Sequence, residues 1–159
     1  MKITFEPIGI IHSPFRTKEG MPIQAAQAEG TKGKIVLNEE LSPGLTDLDG
    51  FSHIILVYYL HRSSGYDLLV TPFLDDKQHG VFSTRAPKRP NAIGLSVVKL
   101  ERIEKNILYI ENVDILDETP LLDIKPYVPW FDIHQTEKNG WVEGNSGKLD
   151  GVKSDKRFK

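Results

Sequence analysis

The ten residues Phe51-Ser52-His53-Ile54-Ile55-Leu56-Val57-Tyr58-Tyr59-Leu60 decide the fold. They are rich in β-branched and aromatic side chains and almost continuously apolar, which predicts a central strand covered on both faces and argues against an amphipathic helix. On either side lie further strand candidates: Ile3–Ile11, Gly33–Leu37, Leu68–Thr71, Gly80–Ser83, Leu95–Ile103, Ile107–Asp114 and Leu121–Lys125. Glu104-Lys105-Asn106 predicts a hairpin turn, with Asn106 in the left-handed position. Helical periodicity is scarce: Asn38–Asp47 is broken by Pro43 and Gly44, and Lys18–Lys32 lacks an apolar stripe. Parallel pairs need crossovers of a dozen residues or more, usually helical, so the reading is mainly β: a small antiparallel β-barrel-like single domain with one or two short helices.

Composition narrows the function. The chain has 159 residues, 39% hydrophobic and 26% charged, which suits one folded domain and excludes a disordered polymer. Its formal charge of −2 means that contact with nucleic acid must come from a local patch. The lack of cysteine excludes disulfides, thiolate nucleophiles and cysteine-ligated zinc. An acid and a proline stand near the start where a signal peptide would be apolar, and no apolar run is long enough to span a membrane. The expected location is therefore cytoplasmic.

Three long connections, His12–Lys32, Pro72–His79 and Thr84–Asn91, are candidates for function. The last sits in the densest motif, Gly80-Val81-Phe82-Ser83-Thr84-Arg85-Ala86-Pro87-Lys88-Arg89-Pro90-Asn91, where three cations share five positions with Pro87 and stand just before Pro90. Prolines stiffen the chain, and a stiff basic loop suits an anion such as a carboxylate or phosphate; a solvated turn is the plain alternative. Asp114, Asp117 and Asp123 fall in or beside a turn, where carboxylates accept hydroxyl or ammonium donors, although aspartate favours turns in any case. The five histidines show no metal-ligand spacing, so no metal is expected. G-x-S-x-G, G-x-G-x-x-G and Walker patterns are absent, leaving a nucleotide-like cofactor only an unusual site.

The motif at 80–91, continued by Ile93-Gly94-Leu95-Ser96, resembles the signature of the TsaA/TrmO-type tRNA N6-threonylcarbamoyladenosine methyltransferases. Supporting blocks are Ile8–Phe15, Gly44–His53 and Leu116–Tyr127. The resemblance implies a non-Rossmann barrel that binds S-adenosylmethionine as a homodimer and methylates N6 of threonylcarbamoyladenosine at tRNA position 37. It places cofactor contacts at Gln24, Ala25, Ala26, His61, Arg62, Arg85, Leu95, Glu111, Asn112, Val113 and Asp114. Lys88, Arg89 and Asn91 are expected to hold the acceptor. A base is needed for the amide-like N6, and Asp114, Asp117 and His61 are the candidates. Glu118 stands where the family often has Gly, and Ala92 where it often has Pro.

The expected cofactor domain is 3–129. Residues 130–159 form an extension, with Trp141 docked on the body and about the last ten residues mobile. From Lys153 to Lys159 it carries four cations and one acid, suited to tRNA. Longer members of the family have a second, C-terminal domain suited to tRNA. A non-catalytic S-adenosylmethionine- or RNA-binding module, and a methyltransferase for a small molecule, are the competing readings.

Overall fold

The computed structural model describes residues 1–148 and 152–155. Its strands are β1 (Gly9–His12), β2 (Lys32–Leu37), β3 (His53–Tyr59), β4 (Leu69–Val70), β5 (His79–Gly80), β6 (Ile93–Glu104), β7 (Ile107–Glu111) and β8 (Thr119–Pro126). Six of them close into a barrel in the order β1-β2-β7-β6-β3-β8, every pairing antiparallel, and β4 with β5 forms a separate two-stranded ribbon. Among the described residues the helices are one α-helical turn, α1 (Pro129–Asp132), and short 3-10 segments. The antiparallel barrel expected from the strand pattern is the fold observed.

Side chains alternate across each strand, so Ile11, Ile35, Ile54, Leu56, Leu108, Ile110 and Leu121 fill the interior with no exposed surface. In β3 the buried residues are Ile54, Leu56 and Tyr58, whereas His53, Ile55 and Val57 are half-buried and Tyr59 is exposed. The expectation that both faces would be covered is therefore corrected. Closure into a barrel supplies a core to one face only, and an unbroken apolar run does not reveal that.

Three boundaries also move. Strand β1 starts at Gly9, because its partner β2 ends at Leu37 and Pro7 has no amide hydrogen; Ile3 and Phe5 lie exposed before it. Residues Val81–Ser83 form a 3-10 turn where a strand was expected. There the Ser83 and Thr84 hydroxyls donate to the Gly80 and Val81 carbonyls at 2.7 and 2.9 Å and pull the chain into a turn. In the hairpin Lys105, with φ 56°, takes the left-handed place expected of Asn106, which instead donates its side-chain amide to the Leu37 carbonyl at 2.7 Å.

Candidate active site

Strand register assembles the site. Tyr59 opposes Ile93, Glu111 opposes Lys32, and Ile11 opposes Thr119, so β1, β3 and β7 end, and β2, β6 and β8 begin, at one mouth of the barrel. The first long loop, the turn after β3, the basic loop and the Asn112–Glu118 turn converge there. They enclose a cavity of about 170 Å³ lined by Tyr58, His61, Arg62, Arg85 and Asp114, with Leu60, Phe73, Ile115 and Leu116 as apolar wall.

Asp114 ends a chain of hydroxyls. Ser96 donates its single proton to Asp114 Oδ1 at 2.7 Å, which leaves Ser96 Oγ to accept from Tyr58 OH at 3.0 Å. Burial raises the Asp114 carboxyl above the ordinary carboxylate range, against bonds from Ser96, from its own amide and from the Ala25 amide and the nearby charge of Arg85. Burial and the neighbouring carboxylate also push the Tyr58 phenol well up, so it stays a donor. Gly94 makes room for that ring: a Cβ there would fall 2.5 Å from Tyr58 Cζ. Neither Tyr58 nor Ser96 stood out in the sequence. The signal was present in Ile93-Gly94-Leu95-Ser96, where period two puts Gly94 and Ser96 on one face.

His61 is also at the mouth. Thr119 gives its hydroxyl proton to the Leu116 carbonyl at 2.7 Å, so the 3.4 Å approach of His61 Nδ1 to Thr119 Oγ1 assigns the ring hydrogen to Nδ1. Burial, aided by Arg62 and Lys18, lowers the imidazole's affinity for a second proton, leaving Nε2 as a free base. Arg62 donates to the Arg16 carbonyl at 2.9 Å and ties the first loop to the turn after β3. Arg85 donates to Gln24 Oε1 at 2.9 Å, joining two residues expected at the cofactor.

Other expected residues lie elsewhere. Leu95 points outward from the barrel opposite Val57, 57% exposed. Glu111 pairs with Lys99 at 2.9 Å on the outer surface, and Val113 is fully buried in the core. Asn112, at φ 66°, accepts the Gly30 amide at 3.1 Å and pins the first loop. Ala26 is placed in the 3-10 turn Ala25–Gln27. Burial alone would raise Asp117, yet donors from the Ser13 amide and His12, both at 3.2 Å, hold its carboxyl below the usual range and occupy it. Lys88 lies 3.9 Å from Asp67, and exposed Asn91 accepts the Ile93 amide at 2.8 Å through its carbonyl. Glu118 has φ 63°, a left-handed conformation, which is the physical reason a glycine suits that position.

Arg89 departs most from expectation. Its Nη1 donates to the carbonyls of Val81, Thr84 and Ala86 at 3.2, 2.9 and 3.3 Å. It fastens the basic loop from within, where the sequence reading had it reach for the acceptor. Arg85, in turn, does not leave a strand; it follows the 3-10 turn and is exposed.

The chain's end returns to this mouth. Lys153 bridges Pro22, the Ser154 amide donates to the Met21 carbonyl at 2.8 Å, and the Gly20 amide donates to the Ser154 carbonyl at 2.9 Å. Ser154 Oγ accepts the Met21 amide and donates to the Lys18 carbonyl, so Ser154 and Asp155 line the cavity. Of the tail expected to be mobile, residues 149–151 and 156–159 lie outside the described residues. Among the described residues no group of three histidines or carboxylates could hold a metal ion, and no helix is long and apolar enough to cross a membrane.

A closed barrel with a loop-rimmed pocket at one mouth and, among the described residues, only antiparallel strand pairings defines a class of small β-barrel domains. The chain belongs to one such family, described as the tRNA-methyltransferase O N-terminal domain, which it matches over residues 10–133. It is 52% identical over 158 residues to a protein of Pyrococcus abyssi named a probable S-adenosyl-L-methionine-binding protein, covering 99% of this chain and 86% of that one. It is 38% identical over 137 residues to the mouse tRNA (adenine(37)-N6)-methyltransferase, covering 82% of this chain but 32% of that enzyme. The crystal structure of TrmO from Pseudomonas aeruginosa superposes with a TM-score of 0.75 at 38% identity, over 89% of this chain and 63% of that one. The chain thus spans less than two thirds of the TrmO structure and about a third of the mouse enzyme.

Proposed function

We propose that this protein is an S-adenosylmethionine-dependent methyltransferase acting on N6 of threonylcarbamoyladenosine at tRNA position 37, as a cytoplasmic homodimer. The observation that carries the reading is the half-buried Asp114, fed by Ser96 and Tyr58, in a cavity rimmed by Arg62, Arg85 and Lys18. These residues fit the cofactor's chemistry: the cations complement a carboxylate and the apolar wall an adenine ring, with Asp114 left to the acceptor. A ligand of nucleoside size overruns 170 Å³, so part of it would stand out of the cavity beside Arg85. When bound, S-adenosylmethionine supplies an electrophilic methyl group.

What remains for the chain is to align the partners at ~3–3.5 Å, exclude water and take a proton from the acceptor nitrogen. Asp114 is our choice for that base. Burial makes it more basic than an ordinary carboxylate, and it lines the cavity, whereas Asp117 is engaged by His12 and Ser13 outside it. His61 Nε2 is the second base at the same mouth. Residues 3–129 are the cofactor domain in this reading and 130–159 an extension of it.

Leu95 faces away from the cavity, so it reaches a cofactor only from a second copy. The exposed row Tyr59, Ile93 and Leu95 on β3 and β6 supports that arrangement. Light scattering on Leu95→Glu should report a smaller particle, with weaker cofactor binding; an unchanged particle removes this row from the interface.

Incubation with labelled S-adenosylmethionine and either bulk tRNA or a metabolite extract tests the function. Label in tRNA supports it, and label in a small product redirects it to another acceptor. Tight binding without transfer would make the barrel a binding module, the reading favoured by the name of the Pyrococcus relative.

A further inference from the structure

A second cavity of about 570 Å³ adjoins the first and shares Ile23, Phe73, Arg85 and Pro87 with it. We propose that this cavity receives the acceptor base itself, a purine turned out of an RNA loop, with Phe82 and Trp141 as its stacking surfaces. The proposal rests on the methyltransferase reading and deepens it, since that reading requires an acceptor beside the cofactor.

Three observations point to a base. The volume lies in the range of small-ligand sites, and the shared wall makes whatever fills this cavity abut the contents of the first. The lining is aromatic and apolar, with the guanidinium of Arg85 at the boundary, the combination on which unpaired bases stack and beside which their anionic groups settle. Phe82 is 76% exposed, although the turn that carries it is fastened by the Ser83 and Thr84 hydroxyls and by Arg89. A rigid turn that holds a phenyl ring toward solvent beside a basic loop makes a platform, and Lys18, Arg62 and Lys88 nearby supply positive charge for a phosphate backbone.

The far wall is fixed as firmly. Trp141 donates its indole N–H to the Ser83 carbonyl at 2.8 Å and stacks on His79, ring centroids 4.6 Å apart. Asp75 holds His79 at 2.9 Å. The segment following the family match at residue 133 therefore builds one side of the cavity.

Trp141 reports on its own site. The chain has two tryptophans, and Trp130 is 94% exposed, so Trp130→Phe isolates Trp141 emission at little risk to folding. An anticodon stem–loop carrying N6-threonylcarbamoyladenine at position 37 should quench that emission. The same loop with an abasic site should not, and Phe82→Ala should weaken the quenching on the order of tenfold. In the transfer assay Phe82→Ala should raise the KM for RNA by a similar factor while the S-adenosylmethionine dissociation constant stays within about twofold. Equal quenching by both loops, or an unchanged KM in Phe82→Ala, overturns the proposal. If the wild-type protein transfers no methyl group, the methyltransferase reading fails by that result alone, and the two loops still decide whether the cavity holds a base.

Discussion

Arg89→Ala separates a loop-fastening arginine from one that holds substrate. Nη1 has two hydrogens shared among three carbonyls, so it makes about two bonds' worth of interaction with Val81, Thr84 and Ala86. A charge-assisted bond contributes ~1.5–3 kcal/mol, and the side chain is half-buried, so water recovers part of the loss; the expected cost is about 2–3 kcal/mol. Because the loop also carries Arg85, the cofactor dissociation constant should rise together with the loss of stability. Urea denaturation followed by tryptophan fluorescence, with calorimetric titration of S-adenosylmethionine, measures both. Arg89→Lys should recover only part of the loss, since an ammonium has three hydrogens for the three carbonyls that Nη1 meets but sits on a shorter stem. Stability within about 0.5 kcal/mol of wild type, with intact cofactor affinity and lost transfer, would refute this reasoning and return Arg89 to the acceptor.

Gly94→Ala should cost about 3 kcal/mol, the upper end for overpacking, because the new methyl meets the Tyr58 ring and displaces its hydroxyl from Ser96; denaturant midpoints equal to wild type would contradict it. Burial raises the folded pKa of Asp114, so the folded state holds its proton more tightly and wild-type stability falls as pH rises from the unfolded value through the folded one. Asp114→Asn should therefore be more stable than wild type at neutral pH, converge with it in acid, and transfer no methyl group; a stability difference independent of pH would speak against the buried carboxylate. Removing residues 152–159 should weaken cofactor binding, because Ser154 and Asp155 line the cavity proposed for it and Ser154 fastens the first loop. Unchanged calorimetric affinity, with only tRNA binding reduced, would restore the purely RNA-binding tail that charge alone suggests.

Residues 51–60, the scarcity of helix and the hairpin at 104–106 were enough to predict an antiparallel barrel, because strand periodicity and short connections are local properties. The family could be read the same way, from the run 80–91 and its flanking blocks. Individual roles were less legible, since a side chain's partner is set by pairing partners far along the chain. Arg85 and Arg89 look alike within the motif, yet one lies exposed against Gln24 and the other turns back on its own loop. Ser96 and Tyr58, 38 positions apart, meet only because register sets Gly94 opposite Tyr58, and Asp114 joins them from the turn between two other strands. Leu95 was placed at the cofactor by resemblance, but alternation along β6 turns it outward. By itself, then, the sequence determined the strand-rich antiparallel character and the basic loop, which follow from local propensity and composition, and the family, which follows from its motifs. Only closure of the barrel decided which arginine reaches Gln24 at the pocket, which carboxylate is buried beside it, and that residues 153–155 return to the pocket, because burial and hydrogen bonding between distant segments exist only once the strands have paired.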